Sequence, residues 1–247
     1  MKIALCTTST NHMKKKYTIT ALLLFFIFSC GYSQKFGIGL QTGIGTYRMS
    51  GLEDLNTYVI RNMPFDTRLV SDFPAYWYYR PSISFKFDQF SIGLLSTFQS
   101  TGSRVSAKDY SGEYRFDLKV KSHNPGIYAE VELFDKNNLH LTLSYIAGLS
   151  FSKLTMEEHS IILDQQQVND KYKFKALNYF VEPGLNFYYQ FYFLTLGINA
   201  GYFFQIGKQE YYTNDNKNAK LANPQANAPI KPDWNGFRVG ASVRYSF

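Results

Sequence analysis

The last fourteen residues, Trp234 to Phe247, read WNGFRVGASVRYSF and limit the fold more than any other stretch. Phe237, Val239, Ala241, Val243, Tyr245 and Phe247 share one parity, and Gly236, Arg238, Gly240, Ser242, Arg244 and Ser246 share the other. A strand repeats every two residues, so one of its faces is continuously apolar and the other small or charged. The apolar face needs a non-aqueous neighbour. The two arginines opposite need a hydrated or ion-paired one.

The same alternation recurs through the chain. It predicts strands over 36–48, 75–87, 90–101, 113–134, 139–156, 172–189, 191–210 and 234–247. Three units share one plan of strand, tight turn and returning strand, opening at Pro81-Ser82-Ile83, Pro125-Gly126-Ile127 and Pro183-Gly184-Leu185. Short turns alternate with longer polar segments at 49–74, 102–112, 157–171 and 211–233, which are read as loops. Parity puts Phe36, Ile38, Leu40 and Ile44 of the first strand outward, with Gly37, Gly39, Gln41, Gly43 and Gly45 inward. On the second, Trp77, Tyr79, Ile83 and Phe85 point outward, and Tyr76, Arg80, Ser82, Ser84 and Lys86 inward. Parity slips near Ser122–Gly126 and Ala176–Asn178 are read as bulges. Pro81, Pro125 and Pro183 each remove a ladder hydrogen bond and belong at irregularities or rims. Eight strands with lipid outside and polar groups inside predict an all-β, antiparallel up-and-down transmembrane barrel. A soluble ligand-binding barrel would invert the two faces.

The amino terminus predicts export. Lys14–Lys16 precede the apolar run Tyr17–Phe28, and small residues follow, with cleavage between Ser33 and Gln34. Met13 reads as the start. Lipoprotein processing at Cys30 is the rival, with bulky Phe28 against it. Of 247 residues, removing 33 leaves 214, which suits one domain over 34–247. Both cysteines leave with the signal, so disulfides, thiolate metal sites and cysteine nucleophiles are excluded. The signal also carries four Lys and no acid, so 26 basic against 19 acidic residues become 22 against 19, a net +3 that gives no support for a nucleic-acid partner. Aromatic residues reach 18%, as suits the interfacial girdles of a membrane barrel.

The terminal strand, with Gly240, Val243, Tyr245 and the carboxy-terminal Phe247, resembles the assembly signal of Gram-negative outer-membrane barrels. That resemblance implies an outer-membrane location with both termini periplasmic. It also implies lipid and lipopolysaccharide as surroundings, and the barrel-assembly machinery and periplasmic chaperones as partners during biogenesis. The Gly-rich first strand KFGIGLQTGIGTY and the prolines of the even strands extend it to the PorT-like outer-membrane β-barrel family. The founding members of that family are implicated in a gliding-associated secretion system, a role that pattern alone does not transfer.

The predicted lumen gathers Arg80, Lys86, Glu130, Glu132, Glu182, Arg238 and Arg244, together with Arg115, Asp117 and Lys119. An eight-stranded barrel has room inside for side chains only, so these charges are expected to pair into a plug. No catalytic or cofactor-binding residue is expected. His123, His140 and His159 match no pattern of the lipid A deacylases, and no base is fixed beside a nucleophile. Asp54, Asp135, Asp170 and Asp215 lie in separate turns and define no metal site. Ser50-Gly51-Leu52-Glu53 reads as a capping box opening a helix over about 51–62, with Leu52, Leu55, Val59 and Met63 on one face to lid the barrel mouth. The segment 212–233 is polar and expected to be mobile. These readings favour a non-enzymatic structural or accessory envelope protein, with a loop-mediated receptor or adhesin as the alternative. A lipid A-modifying enzyme comes after both.

Overall fold

A computed structural model describes residues 35–110, 112–162, 166–207, 209–213, 216, 218–223 and 228–247. The signal segment, Cys30 and the Ser33–Gln34 cleavage site lie outside the described residues, as does Asp215. Eight long strands close into a ring: β1 (Lys35–Gly45), β3 (Tyr76–Phe87), β4 (Phe90–Asp109), β5 (Gly112–Lys136), β6 (Leu139–Ile162), β7 (Gln166–Phe191), β8 (Leu194–Ile206) and β12 (Gly236–Ser246). Neighbours in sequence pair antiparallel around most of the ring, and β1 meets β12 to shut it, from Gly37↔Ser246 to Gly45↔Arg238. At this seam Gly43 faces Gly240. A Cβ on Gly240 would collide with the Thr42 carbonyl and fall 2.7 Å from Tyr78 Oη, so the close approach requires glycine.

Tight turns join the strands at one end. Asn137 and Asn138, with φ of 53° and 66°, make a two-residue connection whose left-handed backbone matches strand twist. At the other end the helix α1 (Ser50–Asn62) and the short strand β2 (Arg68–Asp72) leave β1, and β2 extends the sheet along β4. Strands β9 (Tyr212–Thr213), β10 (Ala222–Asn223) and β11 (Ala228–Pro229) lie between β8 and β12. None of the described helices is long and apolar enough to cross a membrane, which says nothing of strands.

Several sequence expectations change here. Apart from the turn residue Tyr110, segments 102–112 and 157–171 are strand rather than loop over their described residues: β4–β5 stay paired to Asp109↔Gly112, and β6–β7 to Ile162↔Gln166. Helix α1 begins at Ser50 without a side-chain cap, because Met49 in the left-handed region occupies the N-cap and its carbonyl accepts from Leu52 and Glu53. The described parts of 212–233 are anchored: β9 pairs β7, Ile230 is buried, and the Leu221 amide donates to the carbonyl of buried Tyr211 just before the segment. Tyr76, expected inside, is exposed at the rim.

The two expected bulges are absent. Pairing of β6 with β7 runs through Ala176–Asn178 without a shift, and the register of β5 is the same on either side of Asn124-Pro125. The one shift on β5 falls between Glu132 and Phe134. The chemistry of the two faces reverses while backbone parity holds. On β5, Ile127 and Val131 face outward while Tyr128 and Glu130 face inward, but further along Leu118 and Val120 face inward while Lys119 and Lys121 are exposed. On β7, Leu177, Tyr179 and Leu185 are exposed, whereas beyond them Lys173 and Lys175 are exposed and Phe174 and Ala176 buried.

The barrel therefore has two segments stacked along its axis. The lower one wears an apolar coat, including Ile38, Ile83, Leu94, Ile127, Leu185, Ile198 and Val239, all exposed. Rings gather at its edges: Phe36 contacts Phe85 and Phe247 at one, and Tyr202 contacts Phe204 and Phe237 at the other. A continuous exposed apolar coat of this kind is unfavourable in water and fits a bilayer, with rings at the interfaces. The upper segment has an ordinary water-soluble arrangement, with Val105, Leu118, Val120, Leu154 and Phe203 packed inside. Leu52 and Leu55 of α1 close it from above with Met49 and Trp234, and Trp234 Nε1 donates to Ser152 Oγ at 2.8 Å.

Candidate functional site

Three tiers of ion pairs fill the lower segment. In the first, Glu182 is buried between two arginines: Arg80 Nη2 donates to both carboxylate oxygens at 2.8 and 2.7 Å, and Arg238 Nη1 donates at 2.6 Å. Arg80 also donates to Thr97 and Gln41, and Arg238 to Gln99, while the Arg238 guanidinium lies 3.9 Å above the Phe203 ring. In the second, Arg244 donates to Glu130 at 3.0 Å, and Tyr188 Oη and Asn186 donate to the same carboxylate. In the third, near the tight turns, Lys86 pairs with Glu132 at 3.2 Å. The seven charges assigned to the lumen by parity thus sit in three clusters. Arg115, Asp117 and Lys119 do not join them. They stand on the outer face of the upper segment, where Arg104 Nε reaches Asp117 at 2.6 Å and Lys119 reaches Glu157 at 2.5 Å.

Strand geometry explains the first tier. Arg80, Asn124 and Glu182 each precede a proline and each point inward. The proline interrupts one ladder without moving its register: pairing resumes in step after Pro81, Pro125 and Pro183. The residue before proline is held extended, which fixes the direction of the inward side chain. About 50 Å³ of cavity remains beside these tiers, touching Arg238, Asn199 and Ser242, each of which has a polar atom with no protein partner. That volume suits a few waters and no larger ligand.

Two further constellations join residues distant in sequence. Ser96 Oγ lies 2.6 Å from His123 Nε2 on the lipid-side face of β4 and β5, and the imidazole stacks on Phe98 with centroids 4.7 Å apart. This pairs a nucleophile with a base, but among the described residues no carboxylate orients His123. Ser96 stands opposite Pro125 on β5, and its β3 side faces the gap in pairing at Arg80-Pro81. The arrangement satisfies two polar side chains in an apolar setting. Glu132, Asp135 and His140 place three ligand atoms within 4.8 Å of one another. His140 Nδ1 is 2.5 Å from Glu132 and 3.3 Å from Asp135, and the Lys86 ammonium already neutralises Glu132. An ammonium inside the cluster competes with a metal ion, so this is an ion-paired end plug. Sequence reading missed both groups because their members are 27 and up to 8 residues apart on adjacent strands, a separation that only register resolves.

At the seam, Val243, Tyr245 and Phe247 are exposed on the outer face and Gly240 meets Gly43. The Phe247 amide donates to the Phe36 carbonyl at 2.8 Å, tying the chain's last residue to its first strand.

No protein-family model and no curated protein sequence matches the chain. Among solved structures it is similar to the attachment invasion locus protein Ail of Yersinia pestis, at 13% identity over 86% of this chain and 99% of that one, with a TM-score of 0.38. It is also similar to Neisserial surface protein A, at 10% identity over 87% and 99% with a TM-score of 0.38. A third is the outer membrane protease OmpT of Escherichia coli, at 12% identity over 87% and 96% with a TM-score of 0.39. Similarity at this level carries nothing about function, and the barrel rests on the strand pairing itself.

Proposed function

We propose that the chain is a non-enzymatic outer-membrane barrel of the PorT-like kind with a structural or accessory role in the cell envelope. It would be held by its apolar coat, with both termini periplasmic and its upper segment offered to envelope partners. The observation that carries this reading is the reversal of faces on β5 and β7, which places an apolar coat below and a charged, water-facing exterior above on the same strands. A filled lumen and a lidded mouth speak against a pore. Among the described residues no acid orients His123, which speaks against hydrolysis at Ser96. A link to protein secretion rests on the family resemblance alone. A receptor or adhesin reading draws support from the hairpins β4–β5 and β6–β7, which pair with each other through β5 and β6 and project past the coat as one ordered sheet.

The test is gel migration of unboiled and boiled protein from purified outer membranes. A shift on boiling, with outer-membrane recovery, is expected of a closed barrel. Recovery in the soluble periplasm without a shift would overturn the reading.

A further inference from the structure

The outer faces of β4 to β7 are in register, so their side chains form rows around the barrel. One row at the upper edge of the coat reads Phe98, His123, Phe151 and Leu177. The next row up reads Ser100, Lys121, Lys153 and Lys175. Three lysines therefore stand directly opposite one another on adjacent strands, all exposed. Like charges in directly opposed positions destabilise a sheet. Two rows higher Asp117 and Glu157 also stand opposite each other, but both are compensated by flanking cations: Arg104 reaches Asp117 at 2.6 Å, and Lys171 binds Glu157 at 2.6 Å. Glu157 also takes Lys119. Among the described residues no acid reaches Lys121, Lys153 or Lys175. The sheet thus tolerates a concentrated positive row at one height, immediately above the aromatic edge.

A groove of about 770 Å³ opens at this height on the outer face. Its floor is aromatic, from Trp77, Tyr79, Phe98 and Phe151, and its upper wall carries Lys121 and Lys153. Small Ser100 on β4 lines the groove among the rings, and His123 adds a hydrogen-bonding group to it.

We propose that this row and groove seat the phosphate of a phosphorylated glycolipid in the outer leaflet, with the apolar part of the lipid lying along the rings below. The proposal rests on the membrane reading above. Charge complementarity identifies the occupant: the lysines face the depth at which a lipid presents its phosphate, and a phosphate between Lys121 and Lys153 removes the repulsion that the empty row carries. A basic residue at an anionic membrane surface contributes about 1 kcal/mol, roughly a five-fold effect on binding.

The test uses the mature barrel in detergent, with bound lipid read by native mass spectrometry. Phosphorylated lipid A is compared with the same lipid after dephosphorylation, and inorganic phosphate is added in a separate arm. The full chain should retain the phosphorylated lipid preferentially. Replacing Lys121, Lys153 and Lys175 together by Gln should weaken retention on the order of 100-fold. Lys153→Glu separates a binding role from a merely structural one. It places an acid between two lysines, so it should raise the unfolding midpoint of the lipid-free barrel while abolishing lipid discrimination. Equal retention of the dephosphorylated lipid, or an unaltered triple variant, would overturn the proposal. Displacement of lipid by millimolar inorganic phosphate would overturn the lipid as its source. Heat-dependent gel mobility reads barrel closure separately. Loss of discrimination in a heat-modifiable barrel removes the seat alone, and a wild-type chain without that mobility removes the membrane reading and the seat with it.

Discussion

Glu182 is the side chain whose loss the barrel should feel most. It is fully enclosed between Arg80 and Arg238, and both guanidiniums depend on it for charge balance. Removing one partner of a buried ion pair costs about 3–5 kcal/mol, because the desolvated charge left behind is uncompensated. Glu182→Gln is expected to lower stability by that amount, read as a shift of the urea unfolding midpoint in lipid vesicles. Replacing Arg80, Glu182 and Arg238 together by apolar residues of similar volume should cost far less. A Glu182→Gln variant as stable as the triple replacement would mean that the tier is hydrated and weakly coupled. At this scale parity alone placed Arg80, Glu130, Glu182, Arg238 and Arg244 inside. It did not reveal which of them meet, because pairs such as Arg80 and Glu182 are 102 residues apart and lie on strands that are not neighbours in the sheet. Arg115, Asp117 and Lys119 stand outside instead, because charge marks an inward position only within the coat.

The elements of the upper segment are governed by different interactions. Lys119 and Lys171 hold the Glu157 carboxyl down to about 2, chiefly through the Lys119 hydrogen bond. This folded value lies below the ordinary 4.5, so the stabilisation is complete above about pH 4.5 and is lost as pH falls towards 2. Hydrogen-exchange protection across 155–162 and 166–173, taken relative to the intrinsic rate at each pH, should therefore fall between those limits. Glu157→Gln should be less protected at neutral pH and lose little further protection on acidification. An unchanged acid profile in that variant would assign the loosening to other carboxylates. The helix depends on burial: Leu52 is fully enclosed, and its loss to Ala should cost about 2–5 kcal/mol in a well-packed core. Proteolysis near 49–74 would report the opened lid. The helix was legible from the spacing of Leu52, Leu55, Val59 and Met63. Its cap was not, because Met49 enters the helix through a left-handed turn that no local motif announces. The hairpin extensions were hidden by their polarity. Lys, Ser and Glu on an outward face beyond the bilayer are ordinary strand residues, yet their composition reads as loop.

For the whole molecule, the two apparent parity slips carried more information than any motif. They recorded the height at which the surroundings change, since strands that keep their register must exchange apolar and polar faces where lipid gives way to water. Along the axis the interior runs from the apolar cap around Trp234, through the Glu182 and Glu130 tiers, to the Lys86–Glu132–His140 cluster. These barriers act in series. An ion would have to pass an apolar plug and three filled layers, with about 50 Å³ of free volume among them. The expected result in a planar bilayer is no steady conductance. Substituting Ala for Arg80, Glu182 and Arg238 should leave the barrel closed, because the cap and the two lower tiers persist. A leak should appear only when the lower tiers and the lid are removed as well. Stepwise conductance from the unaltered chain would show that the tiers part in the membrane and that the lumen is a regulated path rather than a solid core.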